Sequence, residues 1–198
     1  LMGTGSWGCR GRGPDAPCHM GAWSKEMLGW ADVETVSPGR DLGTVTLDPV
    51  EAGGRVLRVD IPGTSEYFLI ENRQRIGFDA DVRPGLLIWH VDELRVAEGW
   101  PSNRVNGDPQ RFGVSVVQPD GDQDLEAGRN RGDDGDIFPG SSGQRAFHAG
   151  TSPAAVAHDG SVSGLTLLDL DDGSASLRFR LLTRFQTAPR SRAQLRPR

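Results

Sequence analysis

The chain has 198 residues, of which 36% are hydrophobic and 25% are charged, so it is long enough to bury a core in one large or two small globular units. Its formal net charge of −5 argues against the concentrated basic face that binds nucleic-acid phosphates, so we expect no nucleic-acid partner. No apolar run approaches the roughly 18–20 residues that cross a bilayer, and we expect no membrane span.

The first element in chain order is a short amphipathic helix over residues 19–30, HMGAWSKEMLGW, which we expect to end near Gly29. Its large apolar residues recur at helical spacing while the charged ones fall on the other side, a pattern typical of a helix packed on a core. The side chains predicted to face the core are Met20, Trp23, Met27 and Trp30.

From about residue 43 the pattern changes to a period of two, with Gly and Pro between the runs, which predicts strands. The predicted strands carry GTVTL, GRVLRVDI, EYFLIENRQ, GLLIWHVDE, RFGVSVVQPD and SGLTLLDLDDGSASLRFRLL. In the last of these, DDGS predicts a hairpin turn, because Asp-Gly accepts the positive φ angles of tight turns. The residues of its two arms predicted to face the core are Leu165, Leu167, Leu177, Phe179 and Leu181.

These elements predict a mainly β fold, with an opening turn and short helix followed by an antiparallel, sandwich-like β region. The SPGR stretch near residue 38 separates the two, so we expect one part over residues 1–38 and the β region over 39–182. Residues 183–198 are basic, contain Pro and show no period, which predicts a disordered tail.

The most unusual composition lies in residues 118–140, QPDGDQDLEAGRNRGDDGDIFPG. Hard divalent cations take six to eight oxygen ligands, and alternating Asp side chains in a loop can converge on one ion, so calcium is a candidate. The segment does not fit an EF-hand, because Leu125 and Arg131 occupy the places of its Gly and its bidentate Glu. The alternative is a solvated acidic loop, partly neutralised by Arg129 and Arg131.

Two further patterns leave alternatives open. His90 and Asp92 are two apart on a predicted strand and could share a metal, but a lone strand His is more often a satisfied core or rim residue. Cys9 and Cys18 enclose a Gly-, Arg- and Pro-rich stretch, whose context favours a disulfide over two unrelated thiols or a zinc site, for which His19 could supply a third ligand but the sequence offers no fourth.

Five segments, taken together and in order, resemble the downstream part of secreted zinc metalloproteases of the immune inhibitor A family. They are LMGTGSWG, PCHMGAWSKEMLGW, EYFLIENRQ, GLLIWHVDE and DGDIFPG, and the resemblance covers most of residues 1–182. In that family an H-E-x-x-H helix holds zinc with two His and supplies Glu as the base, and a Met-containing turn passes beneath the metal as in metzincin-like proteases. The resemblance implies a fragment of an α+β protease in which Met2 forms this floor.

The departure from the family concerns catalysis, because H-E-x-x-H occurs nowhere in this sequence. The resemblance therefore implies that the zinc ligands and the base lie upstream of Leu1, and that this chain alone is catalytically incomplete and should not hydrolyse peptides. It implies a protein or peptide substrate, a missing catalytic half of the same protein as partner, and an extracellular, secreted location. It also supports the disulfide between Cys9 and Cys18, and it points to calcium at Asp120, Asp122, Asp124 and Asp136.

A second hypothesis belongs to another class: a non-catalytic, calcium-stabilised β-sandwich binding module for cell-surface glycans or proteins. Such a module would need an exposed aromatic groove, for which Trp89 and Trp100 are the candidates. In the protease hypothesis, both tryptophans are expected to be buried.

Overall fold

The computed structural model describes residues 15, 17–172 and 175–184. Its strands are β1 (Val33–Thr35), β2 (Asp41–Leu47), β3 (Val56–Asp60), β4 (Glu66–Arg73), β5 (Gly85–Asp92), β6 (Val114–Val116), β7 (Phe147–His148), β8 (Leu165–Leu168) and β9 (Leu177–Thr183). Its α-helices are α1 (Ala22–Met27) and α2 (Glu93–Gly99), with short 3-10 turns at Val50–Ala52, Gly77–Asp79 and Trp100–Ser102. Within these described ranges, no helix has the length and apolar character needed to cross a membrane.

The described strands form two sheets. The first has the order β1-β3-β4-β5-β6, in which β1 runs parallel to β3 and the other neighbours are antiparallel. The second has the order β2-β9-β8-β7 and is antiparallel throughout. The prediction of a mainly β chain with few helices is therefore confirmed, while its origin in a metzincin-like protease and the three-part division remain predictions.

One apolar cluster joins the inner faces of the two sheets. From the first sheet it contains Leu57, Val59, Phe68, Ile70, Leu86 and Ile88, and from the second Val45, Leu47, Phe147, Leu165, Leu167, Leu177, Phe179 and Leu181. Buried here are Leu165, Leu167, Leu177, Phe179 and Leu181, and β8 pairs with β9 in antiparallel register. The core-facing residues predicted for the last hairpin are thus confirmed, although Gly173 and Ser174 of its turn fall outside the described residues.

The outer face of the first sheet is also covered. A second cluster contains Tyr67, Leu69 and Val91 together with Ala22 of α1, and Trp23 packs against it. As a result β4 is buried at every residue, because one face meets the second sheet and the other meets the chain that leads into α1.

The predicted helix is shorter than residues 19–30, and its buried face is different. It spans six residues, and its buried residues are Ala22 and Lys25. The prediction of a core stripe was wrong for Met27 and Trp30, which are 57% and 69% exposed. So short a helix covers the sheet with about one turn only, and the chain turns away at Gly29, whose φ is 68°, as predicted for the helix end.

Candidate functional site

A buried network of charged residues lies at the end of β4. Two of its members, Glu71 and Arg73, belong to the ENRQ stretch of the third resembling segment. The Arg73 guanidinium contacts three carboxylates: Nε lies 3.1 Å from Glu51 Oε1, Nη1 lies 3.4 Å from Glu71 Oε1, and Nη2 donates a short hydrogen bond to Asp79. The side chain of Arg73 is only 7% exposed and those of Glu71 and Asp79 are fully buried. Buried ions persist only when paired in this way.

The same network holds the backbone that precedes and begins α1. Arg73 Nη2 donates to the carbonyl of His19 at 2.9 Å, and the backbone N–H of His19 donates to Asp79 Oδ1 at 2.7 Å. The N–H of Ala22 donates to Glu71 Oε1 at 3.1 Å. Through these bonds the end of β4 fixes the course of residues 19–22.

Trp89 of β5 completes this contact. Its indole Nε1 donates to Glu71 Oε1 at 2.8 Å, and its ring lies against Gly21, where a Cβ atom would come within 2.3 Å of a ring carbon. A similar close approach joins β5 to the acidic segment: at Gly85 a Cβ would lie 2.4 Å from the carbonyl oxygen of Phe138. The hydrogen bond to Glu71 and the contacts at Gly21 and Gly85, where a larger side chain would clash, therefore join four of the resembling segments.

The pKa values in the network reflect its burial and its pairing. Burial raises the pKa of Glu51 to about 7, and its hydrogen bond with Asp79 adds to this. Burial acts in the same direction on Asp79, but Arg73 and the N–H of His19 outweigh it and lower the pKa of Asp79. Burial also lowers the pKa of Lys25, whose Nζ has no hydrogen-bond partner among the described residues.

The predicted calcium residues share one acidic loop but differ in their surroundings. Asp120 lies against Gly135, where a Cβ would be 1.8 Å from its Oδ2 and 3.0 Å from Asp133 Oδ1. Asp136 is 7% exposed and accepts a 2.6 Å hydrogen bond from the N–H of Asp133. Burial, with Asp133, Asp120 and Glu126 nearby, raises the pKa of Asp136 to about 6.

The other two predicted positions are Asp122 and Asp124. Asp124 forms a short ion pair with Arg129, so its charge is already partly neutralised. Asp122 lines an open cavity of about 780 Å³ together with Asp120, Asp124 and Asp133. The carboxylate of Asp124 would have to release Arg129 to bind a cation, and the calcium site at these residues stays a prediction. Asp133 belongs to the same acidic segment but was not among the predicted calcium ligands.

A third cluster was not expected from the sequence and lies between the two sheets. Oε2 of Glu66 is 2.8 Å from Nε2 of His90 and 2.8 Å from Nδ1 of His158, and it accepts a 2.9 Å hydrogen bond from the backbone N–H of His158. The two imidazole rings are stacked, with centroids 4.5 Å apart and planes 15° apart. Burial acts to raise the pKa of Glu66, but the hydrogen bonds from both His residues lower it to about 2.

The pair that sequence spacing suggested, His90 with Asp92, does not form a shared site. The carboxylate of Asp92 accepts hydrogen bonds from Ser65 Oγ at 2.8 Å, from the N–H of Arg95 at 3.3 Å and from Arg111 Nε at 2.6 Å, so it caps α2. His90 turns instead to partners 24 residues before it and 68 after it, since Glu66 and His158 are 92 residues apart. No local sequence pattern predicts this cluster, because only the fold brings its three residues together.

Two other predicted residues cannot be placed. Met2 and Cys9 lie outside the described residues, so the Met-turn floor and the disulfide to Cys18 remain predictions.

Comparisons with protein-family models, with curated proteins and with solved structures find no match to this chain. The likeness to immune inhibitor A proteases therefore rests on the short segments alone.

Proposed function

We propose that this chain is the C-terminal portion of a secreted zinc metalloendopeptidase resembling immune inhibitor A, and that it is catalytically incomplete by itself. The observation that supports this proposal is the buried network of Arg73, Glu71 and Asp79, which binds the backbone of residues 19–22. That backbone follows the segment in which the resemblance puts the Met-turn. The role of the β unit would be to hold the floor beneath a metal.

The contribution of each part of the chain follows from this geometry. Zinc, held by an H-E-x-x-H helix that this sequence lacks, would supply the Lewis acid that activates water against a peptide carbonyl. The β sandwich supplies rigidity, because Trp89, Gly21 and Glu71 lock the first sheet to the chain entering α1. A metal site held on rigid elements keeps its geometry better than one on a free loop.

Calcium would stabilise the acidic loop in this proposal. Asp120, Asp133 and Asp136 crowd negative charge around a buried carboxylate, and a divalent cation would relieve that repulsion. Asp122 lines the same open cavity and could add an oxygen. Asp124 would join only by releasing Arg129.

The exposed apolar surface beside α1 is consistent with a missing partner segment of the same protein. Met27, Trp30 and Trp100 are 57%, 69% and 60% exposed, so the expectation of the protease hypothesis that Trp100 is buried was wrong for this chain. The same surface favours the second candidate, a β-sandwich binding module, because Trp23 and Trp100 meet edge to face at 6.1 Å and line a groove of about 350 Å³. The predicted pair of Trp89 and Trp100 does not form this groove, since Trp89 lines a different cavity beside Gly21.

The coding sequence upstream of Leu1 separates the two candidates. We expect it to encode H-E-x-x-H within a few tens of residues, and the longer chain to cleave casein only when zinc is present. The 198-residue chain should show no zinc-dependent cleavage under the same conditions. An upstream sequence without that motif, or hydrolysis by the 198-residue chain alone, contradicts the proposal, and the first result favours the binding module.

A further inference from the structure

We propose that Glu66, His90 and His158 form a binding site for one zinc ion, separate from the catalytic zinc expected upstream and from the acidic loop. Each residue offers one ligand atom, and the three atoms lie within 4.8 Å of one another. Two imidazoles with one carboxylate, and water in the fourth position, are a ligand set that zinc adopts in proteins.

The distances are close to those that zinc needs. Tetrahedral ligands at about 2.0–2.1 Å from zinc lie roughly 3.3 Å from one another. The oxygen of Glu66 now lies 2.8 Å from each imidazole nitrogen. A movement of about 0.5 Å brings each of these two distances to that value, and the imidazole of His158 also has to rotate out of its stack on His90 so that both nitrogens point at one ion.

The frame around the three side chains is rigid. Glu66 and His90 stand on paired strands, β4 and β5, and face the interior between the sheets. The ring of Phe68 packs on His90 with centroids 4.9 Å apart. The backbone N–H of His158 donates to Glu66 Oε2 and would orient the carboxylate from outside the metal, as second contacts do in zinc sites.

The cluster is also accessible from solvent. Glu66 and His158 line an open cavity of about 550 Å³, and His90 and His158 line another of about 370 Å³. The nearby guanidinium of Arg111 is engaged with Asp92, so it does not compete for Glu66. An ion can enter, and a water molecule has room to be its fourth ligand.

The imidazole nitrogens that face Glu66 can become metal ligands without a net loss of protons when the rings are neutral. A neutral His carries one N–H, and metal binding moves that proton to the other ring nitrogen.

The test is zinc titration of the metal-stripped 198-residue chain by calorimetry, followed by visible absorption of the cobalt complex. We expect one ion per chain, a tetrahedral cobalt spectrum, and binding that excess calcium does not displace. His90→Gln and His158→Gln should each weaken zinc binding at least about 10-fold. His148→Gln is the control, because the imidazole of His148 accepts a hydrogen bond from the N–H of Gly150, in its own turn.

Circular dichroism and melting curves of the metal-free variants show whether each one folds, and Glu66→Gln provides a third ligand variant if one of the His variants does not. Equal zinc affinity in all variants would overturn the proposal, as would absence of one-to-one binding in the unmodified chain. A thiolate-to-cobalt charge-transfer band would move the ion to cysteine and also overturn it. None of these results depends on peptidase activity, so they are independent of the proposed function.

Discussion

Replacing Arg73 with Met tests whether the buried network holds the chain that enters α1. The substitution keeps the aliphatic length of the side chain but removes the counter-charge of Glu71 and Asp79, whose side chains are fully buried. It also removes the hydrogen bond to the carbonyl of His19. Removing one partner of a buried ion pair costs about 3–5 kcal/mol, because the remaining charge is left without solvent or partner.

That free energy translates into a large change in melting temperature. For a chain of this size, about 1 kcal/mol shifts the Tm by about 2–4 °C, so the Tm of Arg73→Met should fall by about 6–20 °C. Arg55→Met is the matched control, since Arg55 and its partner Glu34 are 42% and 52% exposed. An exposed pair contributes at most about 1 kcal/mol.

Hydrogen exchange locates the effect in the Arg73→Met chain. The amides of His19 and Ala22 donate to carboxylates of the network, so they should lose protection more than the amides of β8 and β9 do. The reasoning is refuted if Arg73→Met and Arg55→Met melt within about 2 °C of each other. It is also refuted if residues 19–22 keep their protection in the variant.

Three further predictions concern single residues. The pKa of Glu51 is raised to about 7, so the native state binds an extra proton and its stability falls as pH rises from about 4.5 to about 7. Glu51→Gln should therefore flatten this part of the curve of Tm against pH. An unchanged curve would contradict the prediction. Millimolar calcium should raise the Tm of the unmodified chain, and Asp136→Asn should lose most of that rise. In EDTA the variant should melt no lower than the unmodified chain, because the substitution removes a crowded buried charge. An equal calcium response in both chains argues against the site. Gly21→Ala should cost about 1–3 kcal/mol in urea unfolding and shift the fluorescence of Trp89, since the new Cβ would lie 2.3 Å from its ring; unchanged stability would mean that the ring moves freely.

Local pattern predicted the strands of the core well, because each has to expose alternate residues to one apolar interior. The last hairpin is the clearest case, where Leu165, Leu167 and Phe179 follow the period of two and are buried. Pairing between distant strands was not predictable in this way. Asp41 of β2 lies opposite Leu182 of β9, and nothing in either segment names the other.

Failures of the sequence reading arise where tertiary contacts decide. The apolar side chains of Met27 and Trp30 have helical spacing, but α1 ends at Met27 and buries the face of Ala22 and Lys25, so spacing alone misjudged their burial. The ligand triangle of Glu66, His90 and His158 depends on a loop that folds back on the first sheet from far along the chain. The charged letters of ENRQ look like an exposed strand end, yet their mutual pairing lets them be buried.

The alternation of β4 explains how one strand carries two sites without mixing them. Side chains at even positions, including Glu66 and Asn72, face the second sheet, where Asn72 Nδ2 donates to the carbonyl of Leu47 at 2.7 Å. Side chains at odd positions, including Glu71 and Arg73, face the chain that enters α1. Because the period of a strand is two, a slip of one residue would exchange both sets at once and bury charges against apolar partners. The register of β4 is therefore fixed from both faces. Single substitutions can disturb the cluster of Glu66, His90 and His158 and the network of Arg73 separately.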